Sequence, residues 1–343
     1  MSHFASMNSF KRRVKPIAIV INMFKVIISD TTYQRIVGTE EQPTASGHSN
    51  LYKLLRQQPV VRLSAKETEQ LMSKPEDLLQ HPSALYILDI PRLDAQAISQ
   101  SYGVMCLSAE HPDISSLIDI NDIHISNERE KLGRGWDTVL NSVERLPSNA
   151  LLLTDRYLFA FNKPNAGDGI ANIHNILREL LPQQFQGGDY HVTVIFDNIN
   201  KATTYTFNDI ATQLNRIKQQ LGRPYPIMME VLGITPDCFI YSKLHNRLIV
   251  SNYYMVEASH KLAAFNRDRG TARQTLLPLA LFTESSLNGN STPPLKAIDQ
   301  TTATLSEFSK SLSRLHDHSV YYYAVNGRRM ERCMAIRNRL IKH

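Results

Sequence analysis

The stretch Tyr190-His191-Val192-Thr193-Val194-Ile195-Phe196-Asp197 decides the fold class of this chain. Its β-branched and aromatic residues are typical of a buried strand. An amphipathic pattern from Phe207 to Leu221 follows, stops at Gly222, and gives way to a second apolar run that begins at Ile227. A strand, a helix and a strand in this order predict a parallel sheet with a crossover helix.

The first half of the chain shows the same alternation. Ser64 has the features of a helix N-cap, and Glu67 stands three residues on, where it completes a capping box. The predicted strands are residues 25–29, 60–63, 84–89 and 104–107, and the predicted helices are residues 50–57, 65–72 and 91–101. We therefore expect an α/β protein with mostly parallel sheets and crossover helices.

The length of 343 residues suggests two domains, or one domain with a large elaboration. The predicted organisation is a basic tail at 1–22, an N-terminal α/β domain at 23–125, a connecting segment at 126–149 and a second α/β domain at 150–343. In the second domain, strands are predicted at 150–161, 246–255 and 321–325 and a helix at 172–181. Residues 328–342 have the pattern of a basic C-terminal helix.

The charge balance is basic, with 38 Lys and Arg against 32 Asp and Glu. One cluster of basic residues lies near the start of the chain, and the other lies at its end and contains Arg328, Arg329 and Arg332. Such clusters are compatible with nucleic acid as a partner, with these arginines binding phosphate. Many mildly basic proteins bind no nucleic acid, so the charge alone decides nothing.

Cys106, Cys238 and Cys333 stand far apart, which predicts neither a disulfide framework nor a zinc site. This cysteine usage favours a reduced, cytoplasmic setting. No apolar stretch approaches the length of a membrane span, so we expect a soluble protein with no membrane partner. Gly167-Asp168-Gly169 lacks the Gly-Lys-Ser/Thr ending of a phosphate loop, and no cofactor is predicted.

Three polar residues, His245, Arg247 and Asn252, interrupt a run that otherwise has the pattern of a buried strand. Alternate residues of a strand share a face, so His245 and Arg247 point the same way. Asn252 falls on the opposite face of a regular strand, unless a bulge or bend brings it back. A guanidinium group binds phosphate through two parallel hydrogen bonds, and Arg247 is therefore a candidate phosphate ligand.

This segment, followed by Ala258-Ser259-His260 and Phe265, resembles a bacterial group of phospholipase-D-like domains. It is similar to the domain at the C-terminus of some microtubule-interacting-and-transport proteins. The resemblance covers about residues 150 to 283 and rests on one short motif and on strand order. It implies a phospholipase-D-like fold for the C-terminal half of the chain.

The resemblance also implies roles for individual residues. His245 would attack phosphorus, Arg247 would hold the non-bridging oxygens, and Asn252 would take the third catalytic position. Residues Asn246, Ser259 and His260 would contribute to binding. The wider phospholipase-D motif has Lys and Asp where this chain has Arg247 and Asn252. The bacterial group has Asp at position 246 and glycines in the turn, and these departures imply weak or no catalysis.

A second candidate site consists of carboxylates. Asp30, Asp89, Asp155 and Asp197 each follow or interrupt an apolar strand. Carboxylates at the ends of parallel strands could converge on Mg²⁺, as in metal-dependent nucleases. The alternative is that each aspartate forms a turn or caps a helix, and the absence of any further ligand pattern favours no metal.

Two functions from different classes follow from the sequence. The first is a protein that binds a phosphodiester or nucleic acid at a degenerate phospholipase-D-like site. A chain with one histidine motif needs a second copy for a two-histidine reaction, so an active form would be a homodimer. The second is a non-enzymatic interaction or regulatory module, and the resemblance suggests an accessory role in a bacterial defence or mobile-element system.

Overall fold

A computed structural model describes most of the chain, with gaps. The described residues are 24–38, 49–118, 124–125, 146–156, 158–159, 168–197, 206–236, 238, 240, 242, 247–258, 274–275, 281–312, 320–326, 329–333 and 335–341. The predicted basic tail at residues 1–22 lies outside these ranges, as does most of the predicted connecting segment at residues 126–149.

A small parallel sheet forms the first half of the chain. Its strands are β1 (Val26–Ser29), β2 (Val60–Leu63), β3 (Leu85–Leu88) and β4 (Met105–Ser108), arranged in the order β2-β1-β3-β4. The helices between and around them are α1 (Asp30–Val37), α2 (Ser49–Gln57), α3 (Ala65–Ser73) and α4 (Arg92–Tyr102), with 3₁₀ turns at Pro75–Gln80 and Ser115–Leu117. The predicted capping box of Ser64 and Glu67 opens α3.

A larger sheet forms the second half. The other described strands are β5 (His124–Ile125), β6 (Ala150–Thr154), β7 (Tyr190–Asp197), β8 (Ile227–Ile234), β9 (Arg247–Ser251), β10 (Met255–Ala258), β11 (Gln274–Thr275), β12 (Val320–Asn326) and β13 (Arg329–Arg332). Seven of them form one sheet in the order β10-β9-β6-β7-β8-β12-β13, and β5 pairs with β11. The other described helices are α5 (Asp168–Leu180), α6 (Phe207–Leu221), α7 (Glu284–Leu287) and α8 (Leu295–Leu312).

The expected α/β class is confirmed, and the sheet of the first half is parallel throughout. The second sheet is mixed rather than mostly parallel. Its three central strands β6, β7 and β8 are parallel, whereas β9, β10, β12 and β13 pair in antiparallel fashion on either side. The predicted strand at 246–255 is two strands of a hairpin, because Asn252, Tyr253 and Tyr254 leave the ladder between β9 and β10.

The predicted basic helix at 328–342 is wrong over its described part. Residues 329–332 form β13 and pair with β12. Residues 335–341 contain no helix, because several of their backbone N–H groups bond to side chains instead of to backbone carbonyls four residues earlier. The N–H of Arg337 donates to Glu230 Oε1 at 2.8 Å, and the N–H of Arg339 donates to His191 Nδ1 at 3.0 Å.

One apolar core runs through both sheets. Ile28 of β1, Leu54 of α2, Leu151 of β6 and Val194 of β7 belong to the same buried cluster. Because each sheet buries a face in this shared core, the two halves stabilise each other. No helix in the described part of the chain is long and apolar enough to cross a membrane.

Two asparagines join the amino edges of the sheets. The Nδ2 groups of Asn149, just before β6, and of Asn252, just after β9, both donate to the carbonyl oxygens of Pro82 and Gly103, each at 2.9 Å. Asn252 Oδ1 accepts the backbone N–H of Asn149 at 3.3 Å. We call this set of residues, together with Tyr253, the amide clasp.

Tyr253 adds a further bond between the sheets. Its buried hydroxyl donates to the carbonyl of Ala84 at 2.6 Å and accepts the N–H of Met105 at 2.9 Å. Both partners lie at the amino ends of β3 and β4. Every group in these bonds is buried, so breaking one of them leaves a polar atom unsatisfied away from water.

A substitution of Gly103 would show how closely the backbones of the two sheets approach each other at the clasp. Its φ is +62°, and a Cβ at this position would lie 2.1 Å from the carbonyl oxygen of Ser148. We expect Gly103→Ala to lower the free energy of unfolding by about 3 kcal/mol. Alanine is strained in the left-handed conformation, and its Cβ would displace the backbone at Ser148. Gly222 is the matched control, since its φ is +56° with no atom within 4 Å.

We expect Gly222→Ala to cost only about 1 kcal/mol, from conformational strain alone. Urea unfolding followed by circular dichroism measures both variants. Equal losses in the two variants would contradict the close approach of Gly103 to Ser148.

The carboxyl group of Asp299 on α8 makes stability depend on pH. Burial raises its pKa to about 7. Since the unfolded chain releases this proton near pH 4, the contribution of Asp299 to stability falls as the pH rises from about 4 to about 7. Asp299→Asn is therefore expected to be more stable than wild type at pH 8 and equally stable at pH 4 in thermal unfolding. The control is Glu307→Gln, a change at an exposed position of the same helix. It is expected to leave the thermal stability unchanged at both pH values.

Candidate functional site

The strand order of the large sheet reverses between β6 and β9. Strands β6, β7 and β8 follow one another across the sheet, and the chain then returns to the other side of β6 to form β9. In open α/β sheets, ligands bind at the carboxyl edge where the order reverses. Because β9 is antiparallel to β6, with Leu248 opposite Thr154, β9 begins at that same edge.

Arg247 and Asp155 meet at this edge. Arg247 is the first residue of β9, and Asp155 follows the last residue of β6. The Nε–H of Arg247 donates to Asp155 Oδ1 at 3.2 Å, and their side chains are 17% and 4% exposed. A carboxylate this deeply buried requires a charged or hydrogen-bonding partner, so Asp155 holds the guanidinium group in place.

A second ion pair lies beside the first. Arg156 Nη2 is 3.9 Å from Asp197 Oδ2, with side chains 13% and 5% exposed, and Asp197 is the last residue of β7. The backbone N–H of Asp197 also donates to the carbonyl of Arg156 at 3.0 Å. Two guanidinium groups and two carboxylates are thus collected at the ends of β6, β7 and β9.

The start of α5 lies at the same edge. A Cβ on Gly169, the second residue of α5, would lie 1.8 Å from the carbonyl oxygen of Leu158, three residues after Asp155. The first turn of α5, which carries the positive end of the helix dipole, therefore lies against the segment that follows β6. Asn172, one turn further along α5, is buried, and its Oδ1 has no hydrogen-bond partner in the described part of the chain. The edge combines guanidinium donors with a helix N-terminus, an arrangement suited to an anion.

The structure brings only some of the sequence-predicted residues to this edge. Residues His245, Asn246, Ser259, His260 and Arg328 lie outside the described residues. Arg329 and Arg332 belong to β13, and Arg332 is exposed. Strand β13 is five strand spacings from β9, about 24 Å, so these arginines are not part of the Arg247 site.

Asn252 lies at the opposite end of β9 from Arg247. The two residues are five positions apart along an extended chain, a distance of about 16 Å. The amide of Asn252 is committed to the clasp, where both of its N–H donors point at carbonyl oxygens. The partner of Arg247 is instead Asp155, which the sequence indicated only as a candidate metal ligand. The available signal was its position at the end of a strand.

The other candidate carboxylates lie at the carboxyl edge of the small sheet. Asp89 accepts the hydroxyls of Thr31 at 2.6 Å and Thr32 at 2.9 Å. Burial is the largest single effect and raises the pKa of Asp89. The hydroxyls of Thr31, Ser29 and Thr32 and the charge of Arg35 together lower it by more, so the pKa lies below its usual value. Asp89 thereby supplies the negative charge at the N-terminus of α1.

Asp30 pairs with Arg62 on the surface of the same sheet. Within the described ranges, no group of three or more His, Cys, Asp or Glu side chains is placed to hold a metal ion. Asp30 and Asp89 therefore have partners of their own, a cation and a pair of hydroxyls.

Comparison of the chain with models of known protein families, with characterised proteins and with solved structures gives no match. The phospholipase-D-like resemblance of the segment around His245 therefore stays a prediction. The geometry at the carboxyl edge is the basis for any functional conclusion.

The clasp predicts the effect of a carboxylate at position 252. Asn252→Asp replaces an amide that donates to two carbonyl oxygens by a group that repels both. We expect the free energy of unfolding at pH 7 to fall by about 3 kcal/mol, with a smaller loss near pH 4, where the new carboxyl is partly protonated. The control is Asn288→Asp, since Asn288 is exposed and its Oδ1 accepts from Lys53.

Chemical denaturation at both pH values measures the two variants. An Asn252→Asp protein as stable as wild type at pH 7 would show that Asn252 is free to act as a ligand. A large loss in Asn288→Asp would show that any added charge destabilises the fold.

Proposed function

We propose that this protein binds a phosphodiester, as in single- or double-stranded nucleic acid, at the carboxyl edge of its large sheet between β6 and β9. The observation that carries the proposal is the Arg247–Asp155 pair at the point where the strand order reverses. Asp155 orients the guanidinium group, and a guanidinium group held in a fixed plane is suited to bind phosphate oxygens through parallel N–H bonds.

Two further features support an anionic ligand. Arg156 brings a second guanidinium group to the ends of β6 and β7, and α5 directs its positive end toward the same region. The formal net charge of +6 favours a polyanion over a small neutral ligand. In this proposal, His245 and Asn246, which immediately precede Arg247 in the sequence, contact the same phosphate group.

The proposed activity is binding with weak or no catalysis. Phospholipase-D-type chemistry requires a carboxylate near the attacking histidine, and position 252 carries an amide that is used in the clasp. Asp155, which could supply a negative charge at the edge, is paired with Arg247. The proposal therefore assigns Arg247 to phosphate recognition and gives Asn252 no part in the reaction.

The second candidate function is a non-enzymatic interaction module. The observation that favours it lies in the small sheet, where β2 forms an edge and Val61 is exposed. An exposed apolar edge strand is a site for pairing with another chain. This function can coexist with phosphate binding, because β2 and the Arg247 site are on different sheets.

Salt-dependent binding to labelled single-stranded and duplex oligonucleotides tests the proposed function. Arg247→Ala is expected to weaken binding by about tenfold or more and to reduce the salt slope by about one. Arg247→Lys keeps the charge but loses the planar fork, and we expect an intermediate affinity. Fluorescence anisotropy across a range of salt concentrations measures both effects.

The control is Arg216→Ala, which removes an exposed arginine from α6. Thermal unfolding of Arg247→Ala is measured alongside, because Asp155 loses a buried partner in that variant. Unchanged binding in a folded Arg247→Ala protein, or an equal loss in Arg216→Ala, would remove the proposed site.

A further inference from the structure

Strand β2 forms an open edge of the small sheet. It pairs with β1 on one side, and no other described strand pairs with its outer side. Val61 in its middle is 39% exposed, and the only other exposed large hydrophobic residue in the described part of the chain is Leu93, at 77%. An apolar edge strand exposes backbone donors and acceptors that can pair with another strand.

The register of β1 and β2 shows which backbone groups are open. The N–H of Val26 donates to the carbonyl of Pro59 at 2.9 Å, and Val26 is opposite Val60. Hydrogen bonding alternates along a parallel strand, so Val61 directs its N–H and C=O toward β1. The backbone groups of Val60 and Arg62 therefore point outward.

A cavity of about 490 Å³ lies beside this edge. Ile27, Val61 and Leu63 of the sheet line it, as do Glu67 of α3 and, beyond the end of that helix, Lys74 and Asp77. The cavity combines apolar side chains of the sheet with two carboxylates and one ammonium group, so it suits a partner that is apolar and carries complementary charges.

We propose that a second copy of this chain docks on this face, with its β2 antiparallel to the first and Val61 on the two-fold axis. An antiparallel pair about that axis places Val60 opposite Arg62 of the second copy, and Arg62 opposite Val60. These are the residues whose backbone groups point outward, so both pairs close with hydrogen bonds. The two Val61 side chains meet across the axis as a close, non-hydrogen-bonded pair.

The charges of α3 match the same symmetry. Glu67 lies in the first turn of α3 and Lys74 caps its C-terminal end, seven residues on, and both line the cavity. A two-fold axis runs the two α3 helices in opposite directions, so Glu67 of each copy faces Lys74 of the other. Any antiparallel strand can bond to the outward backbone groups, but the Val61 pair on the axis and the two Glu67–Lys74 pairs form only with a second copy, and for this reason we propose a second copy as the partner.

The dimer is expected to be weak. Each copy contributes one four-residue strand and one helix face. An interface of this size is at the small end of the range for specific contacts. The dissociation constant is accordingly expected on the order of micromolar. The dimer does not depend on the phosphate site, since β2 and Arg247 lie on different sheets.

Sedimentation of the full chain over a range of concentrations tests the proposal. We expect a monomer–dimer equilibrium that Val61→Lys shifts toward monomer by at least tenfold in dissociation constant, because two ammonium groups would meet on the axis. Leu93→Lys introduces the same change at the other exposed apolar residue and should leave the equilibrium unchanged. A wild-type protein that stays monomeric throughout overturns the proposal, as does a dimer that Val61→Lys leaves intact.

A charge swap tests the symmetry itself. Lys74→Glu is expected to weaken the dimer, because it brings two carboxylates together, and the double variant Glu67→Lys/Lys74→Glu should restore it. Glu67 also caps α3 through Ser64, so circular dichroism checks that the double variant is folded. A folded double variant no stronger than Lys74→Glu alone overturns the proposed orientation.

Hydrogen exchange identifies the edge directly. In wild type, the amides of Val60 and Arg62 should exchange more slowly as protein concentration rises, and in Val61→Lys their exchange should not depend on concentration. Removal of residues 1–22 should leave the equilibrium unchanged. A dimer that forms only after this removal would mean that the chain's own segment covers β2, and would overturn the proposal.

Discussion

The amide clasp is the interaction on which the rest of the structure depends. Two asparagine side chains from the large sheet donate to the same two carbonyl oxygens at the amino ends of β3 and β4. The two bonds to Gly103 are buried and the two to Pro82 are partly buried, and all four require close contact, so they fix the distance between the two sheets more narrowly than apolar packing alone. Gly103 allows this approach because any side chain there would collide with the backbone of Ser148.

The clasp also determines where the proposed site lies. Strand β9 is anchored at one end by Asn252, and its other end carries Arg247 at the carboxyl edge. The ladder between β6 and β9 then brings Arg247 to Asp155. One short strand therefore links the joint between the sheets to the guanidinium group that we propose binds phosphate.

Local patterns predicted much of the fold, and distant contacts decided the rest. The bounds of Tyr190–Asp197 and Phe207–Leu221 were predicted to the residue, because periodicity, helix caps and terminating glycines are properties of neighbouring residues in the sequence. The role of Asn252 was missed because its acceptors lie 149 and 170 residues away in the chain. The end of the chain has a helical pattern, yet the backbone N–H groups of Arg337 and Arg339 bond to Glu230 and His191 of the sheet. A local sequence pattern cannot predict partners that are so distant in the chain. Helix α8 had no sequence prediction, since its many Ser and Thr residues are weak helix formers.

Backbone hydrogen exchange with and without a single-stranded oligonucleotide tests the central claim most directly. If the nucleic acid binds at the carboxyl edge, the amides of Asp155 and Leu248 should exchange more slowly in its presence. Both lie beside the Arg247–Asp155 pair and already have acceptors, Ile195 O and Thr154 Oγ1. Slower exchange confined to β13, with Asp155 and Leu248 unchanged, would place the ligand on the C-terminal arginines and contradict the proposed site.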